Sequence, residues 1–285
     1  MLDSLADHID KILDRFYDFG VRSNWTETDD SPLVYERRWL SRHYGPDVYW
    51  DGSAANYAAS SGVLFTAVSG QHLEGLRLLL RAREVIFAPA PPARSILEIA
   101  GHVFWLLDPR LQSLRDRAAR TFLARLQDGT RRKTAALAVN HPQSPIFGGE
   151  VSDFRRRTIP SYFYASEIAP GPRGTIKLRG QSYPGLEEAL GYIGEASEVP
   201  WNTSGMYAYL SNSSHPTLHV ITDSLDVVGG KITGFGLEDV TLPYRIARMA
   251  IMCFVRCWQI TAAYHGLDQR EAVELGEEVD TLPEP

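Results

Sequence analysis

Cysteine is nearly absent from this chain: Cys253 and Cys257 are the only two in 285 residues. Two thiols make no disulfide framework. At i, i+4 on an apolar helix they read as buried, reduced side chains acting as small hydrophobes. Lysine is also scarce, supplying four of 29 basic residues, and this arginine bias reads as a codon habit rather than a binding signal. The net charge of -6 excludes a chain that coats polyanions by bulk charge, while local basic patches stay open. No long apolar run is uninterrupted: the most apolar helix carries Arg248 and Arg256, so no membrane span is expected. Residues 1–8 hold neither a basic n-region nor an apolar h-region, so no secretory signal is expected and a cytoplasmic location is.

What is present is a globular composition, 44% hydrophobic and 22% charged. A chain of this length buries roughly 75% of its unfolded surface without a metal or disulfide. Apolar residues recur at helical spacing along most of it. Leu5, Ile9, Ile12, Leu13 and Phe16 mark a first helix that Gly20 ends. A short helix near 35–43 sits within a polar and aromatic connection over 21–52. A long helix spans 54–88, and Pro89-Ala-Pro-Pro92 stops it and positions another over 93–107. Asp108-Pro109 reads as the N-cap and first residue of a further helix to about Gln127, with Arg110, Arg115, Arg117, Arg120 and Arg125 on a basic outer face.

Residues 129–185 are the least regular part, with basic triplets at Arg131-Arg-Lys133 and Arg155-Arg-Arg157 and recurring Pro and Gly. Shorter helices follow at 186–197, 204–212 and 216–227. A glycine-rich connection or small hairpin spans 229–236. A last long helix opens at Pro243, striped by Ile246, Met249, Cys253, Cys257, Trp258 and Tyr264. The expected fold is an all-α bundle of about seven to nine helices with an irregular middle insertion. Residues 1–275 form one domain, and an acidic tail over 276–285 frays.

The strongest site candidate lies in Arg94-Ser-Ile-Leu-Glu98-Ile-Ala-Gly-His102-Val-Phe-Trp-Leu-Leu-Asp-Pro109. Arg94, Glu98 and His102 are spaced i, i+4, i+8 and stack on one face of an otherwise apolar helix. Buried polar groups need partners or a cavity. A second candidate is Tyr207-Ala-Tyr-Leu-Ser211-Asn-Ser-Ser-His215-Pro-Thr-Leu-His219, where Pro216 at a first helical position makes His215 an N-cap. His219 and Asp223 follow at one-turn intervals.

Four readings compete for these residues. Glu98, His102, His215, His219 and Asp223 include metal-ligating types, but the spacing differs from the Glu-x-x-His of bundle di-metal sites and only one helix supplies Glu. His215 or His102 with Glu98 and Arg94 suits acid–base work on an anion. Arg38-Trp-Leu-Ser-Arg-His43 has the Arg-x4-His spacing of a ribonuclease motif, a short pattern of low specificity. Alternatively the Arg94–Glu98 pair only fixes helix register.

Arg94-Ser-Ile-Leu-Glu98 with Phe104-Trp-Leu-Leu-Asp-Pro109, the Arg-rich helix, and Tyr209-Leu-Ser211 with His215 together resemble a pattern in uncharacterised helical proteins of actinobacteria. They are distantly similar to bacterial HEPN-like (higher eukaryotes and prokaryotes nucleotide-binding) helical domains. The resemblance covers residues 54–127 and 204–220. It implies an all-α fold and points to Arg94, Glu98, Ser211 and His215. His102 is extra to that pattern, and Pro216 stands where glycine is usual. The Arg-x4–6-His motif lies outside the matching segments.

The leading expectation is a bacterial HEPN-like protein acting on RNA or a nucleotide by metal-independent acid–base chemistry. It needs no cofactor. His215 is the acid–base group and Arg94 the phosphate clamp, with Glu98, His102 and Ser211 completing the site. One alternative is a small-molecule enzyme of a specialised metabolic pathway using the same pocket, which an aromatic-lined cavity favours. Another is a non-catalytic interaction protein, which a dry, packed cluster favours. Assembly as a homodimer through an apolar helix face is expected.

Overall fold

The computed structural model describes residues 2–44, 53–83, 88–111, 113–196, 203–214, 225–228, 231–235 and 241–282. Helices α1 (Leu2–Ser23), α2 (Pro32–Tyr44), α3 (Ala54–Ala82), α4 (Ala90–Leu107) and α5 (Leu114–Ala138) make up the first half. The second half holds α6 (Ser144–Asp153), a π-helical turn (Phe154–Thr158), α7 (Ile159–Tyr162), α8 (Leu186–Ala196), α9 (Thr203–Ser214), α10 (Thr241–Tyr264) and α11 (Arg270–Asp280). The fold is an all-α bundle. Its strands form two small antiparallel hairpins among the described residues: β1 (Ile168–Pro170) pairs Ile168 with Leu178 of β2 (Ile176–Leu178). β3 (Leu225–Val228) pairs Leu225 with Phe235 of β4 (Lys231–Phe235), with a register shift after Asp226.

Local chemistry explains the helix boundaries. The Ser53 hydroxyl accepts from Asn56 N at 3.2 Å and caps α3, and Arg83 ends it in the left-handed region at φ 58°. Ser113 caps α5 in the same way through Asp116 N. Each cap satisfies a backbone donor that the first turn leaves unpaired.

Helix α4 occupies the centre and packs against α3, α10, α8 and α9. Ile96, Leu97, Val103, Phe104, Trp105, Leu106 and Leu107 are all buried, each worth about 1.5–3 kcal/mol on burial. Its neighbours approach closely because small residues face it. A Cβ on Gly62 would lie 2.7 Å from Leu107 Cδ1, and one on Gly101 would lie 2.9 Å from the Ala189 carbonyl carbon and oxygen. The latter contacts are backbone and cannot swing away. Gly101→Ala is therefore expected to destabilise the protein by about 1–3 kcal/mol in urea unfolding, despite alanine's better helix propensity.

Several sequence expectations need correction. Asp108-Pro109 does not open a helix. Asp108 sits at the end of α4 and its carboxylate accepts from Arg110 N and Nε at 3.0 and 2.9 Å, while α5 starts at Leu114 and runs on to Ala138. The basic outer face of α5 is partly an inner one, with Arg117 and Arg120 8% and 5% exposed. Arg120 Nη1 donates to Trp105 O at 2.6 Å, and Arg117 Nη2 to Leu111 O at 2.8 Å. Acceptors at the end of α4 for Arg120, and Leu111 O and Glu36 of α2 for Arg117, let those guanidiniums be buried.

Much of the stretch expected to be irregular is helical, as α6, the π turn and α7. The acidic tail is helical to Asp280, with Leu275 and Val279 buried and Lys11 donating to Glu278. The helix expected over 216–227 falls mostly outside the described residues, and its last positions belong to β3. Pro243–Tyr264 is long and apolar enough to cross a membrane by length and composition, and most of it is buried in the bundle. Both cysteines are buried and unpaired there, and burial pushes the Cys253 thiol up to about 12.

Candidate functional site

The predicted face of α4 divides into two environments. Toward its N-terminus Arg94 Nε donates to Glu98 Oε1 at 2.9 Å. The Tyr207 hydroxyl, from α9, donates to the same oxygen at 3.1 Å, and the Arg94 guanidinium lies 5.1 Å from the Tyr207 ring centre. Burial together with the Glu98 carboxylate pushes the Tyr207 hydroxyl pKa up. This trio pins α9 to α4 and largely satisfies Arg94. Ser211, one turn beyond Tyr207, is half-buried and makes no hydrogen bond to the pair among the described residues. His215, His219 and Asp223 lie outside the described residues, so His215 acquires no geometry relative to Arg94. Three of the five residues weighed as metal ligands are thereby outside as well.

Two turns along α4, His102 faces a cleft of about 1000 Å³. Phe65 and His72 of α3 and Glu98, Ile99 and His102 of α4 line one side. Leu123, Leu126 and Arg131 of α5, with Arg155 of the π turn, line another. The segment 172–186 closes a third side, notably through Ile176 and Tyr183. Glu98 belongs to both environments, its carboxylate held by Arg94 and Tyr207 at the cleft edge.

The segment bearing Tyr183 is held by charge. Glu167 receives hydrogen bonds from Arg115 Nε at 2.9 Å and from Tyr164 N at 3.0 Å, and Arg179 bridges Glu167 to Asp116. The first of these bonds, with the others, holds the Glu167 carboxyl well below the usual range. Gln181 accepts from buried Arg120 at 3.2 Å. Residues 164–181 are thus tied to α5, and Tyr183 is delivered to the cleft wall.

There the Tyr183 hydroxyl stands 3.3 Å from His102 Nδ1 and 3.4 Å from Nε2. An oxygen so nearly equidistant from both ring nitrogens lies along neither in-plane bonding direction, so His102 keeps hydrogen-bonding capacity for a third group. The Arg131 guanidinium also approaches Tyr183, 5.5 Å from the ring centre. Burial, reinforced by the Arg131 charge and opposed by Glu98, pushes the His102 imidazole down to about 4. Burial also lowers His72 and raises Tyr183. His102 is consequently neutral at pH 7, able to accept at one nitrogen and donate at the other.

The sequence places Arg94, Glu98 and His102 on one face of α4, as observed, but does not single out His72 or Tyr183; Arg131 and Arg155 are exposed, as expected of the basic triplets, and also line the cleft. The one available signal for Tyr183 was an aromatic residue directly before Pro184-Gly185, at the point where the middle segment meets α8. Arg38 and His43 both lie exposed on α2, away from the cleft, and His43 stacks on Trp39 with 4.4 Å between ring centres. Comparison with protein-family models, curated proteins and solved structures finds no match to this chain.

Proposed function

We propose that this chain binds a small organic molecule in the α3–α4–α5 cleft and acts on it by acid–base chemistry at His102. The observation carrying this reading is the His102–Tyr183 contact on the wall of a roughly 1000 Å³ space, with Arg131 behind it. That volume is of the size that holds a drug- or cofactor-sized ligand. Apolar side chains such as Phe65, Ile99, Leu123 and Ile176 supply affinity, and the polar groups interspersed with them fix orientation. Neutral His102 accepts a proton from, or hydrogen-bonds, a group placed between it and Tyr183. Arg94 positions α9 through Glu98 and Tyr207, and the Glu98 carboxylate stands at the cleft edge.

RNA or a nucleotide as ligand is the second reading. It is favoured by the basic triplets, which contribute Arg131 and Arg155 to the cleft and leave Arg156 and Arg157 exposed beside it. In that reading His215 and Arg94 keep the acid–base and clamp roles expected from sequence.

Native mass spectrometry tests the two. The protein is exposed to a small-molecule extract, and in parallel to a short single-stranded RNA at physiological salt. A retained adduct lost in His102→Gln and kept in His43→Gln supports the cleft reading. An RNA complex indifferent to His102 overturns it in favour of the second.

A further inference from the structure

Two exposed arginines from separate elements line the cleft. Gly129 of α5 approaches α6 so closely that a Cβ there would lie 3.0 Å from Val151 Cγ2. Just beyond that crossing, Arg131 on α5 and Arg155 in the π turn both enter the lining. The π turn packs Phe154 against Phe122, with ring centres 5.5 Å apart. Its extra residue per turn accompanies a cleft-lining residue one place later, and such π turns are frequent at functional sites.

Among the described residues neither arginine has a carboxylate partner within ion-pair distance. They differ in this from Arg94, Arg115 and Arg179. The acids in the same lining are Glu98, already met by Arg94 and Tyr207, and exposed Glu188 of α8.

Resting on the cleft reading above, we propose that its ligand is a phosphomonoester with an apolar or aromatic body. The phosphate is held by Arg131 and Arg155, and the body lies between Phe65, Ile99, Leu123 and Ile176. A guanidinium presents a planar fork of charged donors, and two of them on one anion match the double charge of a phosphate rather than the single charge of a carboxylate. A dianionic phosphate has three terminal oxygens and accepts from both. The apolar walls do not suit inorganic phosphate alone, which leaves that surface facing water. Arg131 contacts Tyr183, and Tyr183 contacts His102, so a phosphate on the arginines places the adjoining part of the body beside His102.

Four probes test this: 1-naphthyl phosphate, 1-naphthoate, 1-naphthol and inorganic phosphate. Each is titrated by calorimetry and by the His102 imidazole C–H resonance. The expected result is naphthyl phosphate binding at least about tenfold tighter than the other three and shifting the His102 resonance, with a loss of about tenfold or more in Arg131→Gln and in Arg155→Gln. Binding of 1-naphthol should be unchanged in those variants, which shows that they fold.

If naphthoate or naphthol moves the His102 resonance with equal or better affinity, the phosphate assignment is overturned and the cleft reading stands. Naphthyl phosphate that binds without moving His102, or indifferently to both arginines, overturns the assignment by placing the anion elsewhere. If no probe moves the resonance, both statements fail together.

Discussion

Replacing Glu36 by glutamine should raise stability relative to the natural protein by about 3 kcal/mol more at pH 8 than at pH 4. Glu36 is fully buried on α2. Its Oε2 accepts from the Tyr264 hydroxyl at 2.6 Å and lies 3.7 Å from Arg117 Nε, while Oε1 has no hydrogen-bond partner among the described residues. Burial pushes the carboxyl up to about 7 from 4.5, against the opposing pull of Tyr264 and Arg117. A folded pKa above the unfolded one means that the folded state holds the proton more tightly.

The stability Glu36 contributes is therefore full below pH 4.5 and is lost as pH rises through 7. Glutamine cannot titrate, and its carbonyl still accepts from Tyr264. Any constant offset from burying its amide cancels between the two pH values. Urea unfolding of both proteins at pH 4, 6 and 8 measures the effect. A difference that does not change with pH would show that Glu36 remains ionised in the fold.

His102→Gln should behave with the opposite sign. Burial pushes the folded imidazole down to about 4 from the ordinary 6.5, so the contribution of His102 is full above pH 6.5 and is lost as pH falls through 4. Relative to the natural protein the variant gains about 3 kcal/mol at pH 4 and nothing of this kind at pH 8. The same substitution should lower turnover of a cleft substrate by about 10²–10⁴-fold, the usual contribution of a positioned acid–base group. A His102 resonance titrating near 6.5 would remove both expectations.

The two windows overlap between about pH 4.5 and 6.5. There the unfolded chain carries one proton on the histidine and the folded chain one on the glutamate. The two slopes cancel in the natural protein, and each single variant should expose the slope of the other group.

Much of the fold follows from local pattern. The stripe from Leu5 to Phe19, the run from Ile96 to Leu107 and the stripe from Ile246 to Tyr264 each carry enough apolar residues at helical spacing to be buried on that face wherever they dock. The second hairpin is only half legible: the run over 229–236 reads as a glycine-rich connection or small hairpin, whereas the positions of β3 read as the end of a helix. The Arg94–Glu98 pair was legible from local pattern: i, i+4 partners on one helix meet without any tertiary help. By itself, then, the sequence determined the helix class, most helix positions and one polar face of α4.

Tertiary structure alone decided the cleft. Tyr183 stands 81 residues from His102, and Arg155 is 24 positions from Arg131, so no periodicity joins them. Their meeting depends on the Arg115–Glu167–Arg179–Asp116 network and on the close crossing at Gly129. The burial of Arg117 and Arg120 was illegible for the same reason. An arginine on a helix reads as solvated until acceptors arrive from elsewhere in the chain, and here Glu36, Asp108 and the Trp105 and Leu111 carbonyls supply them.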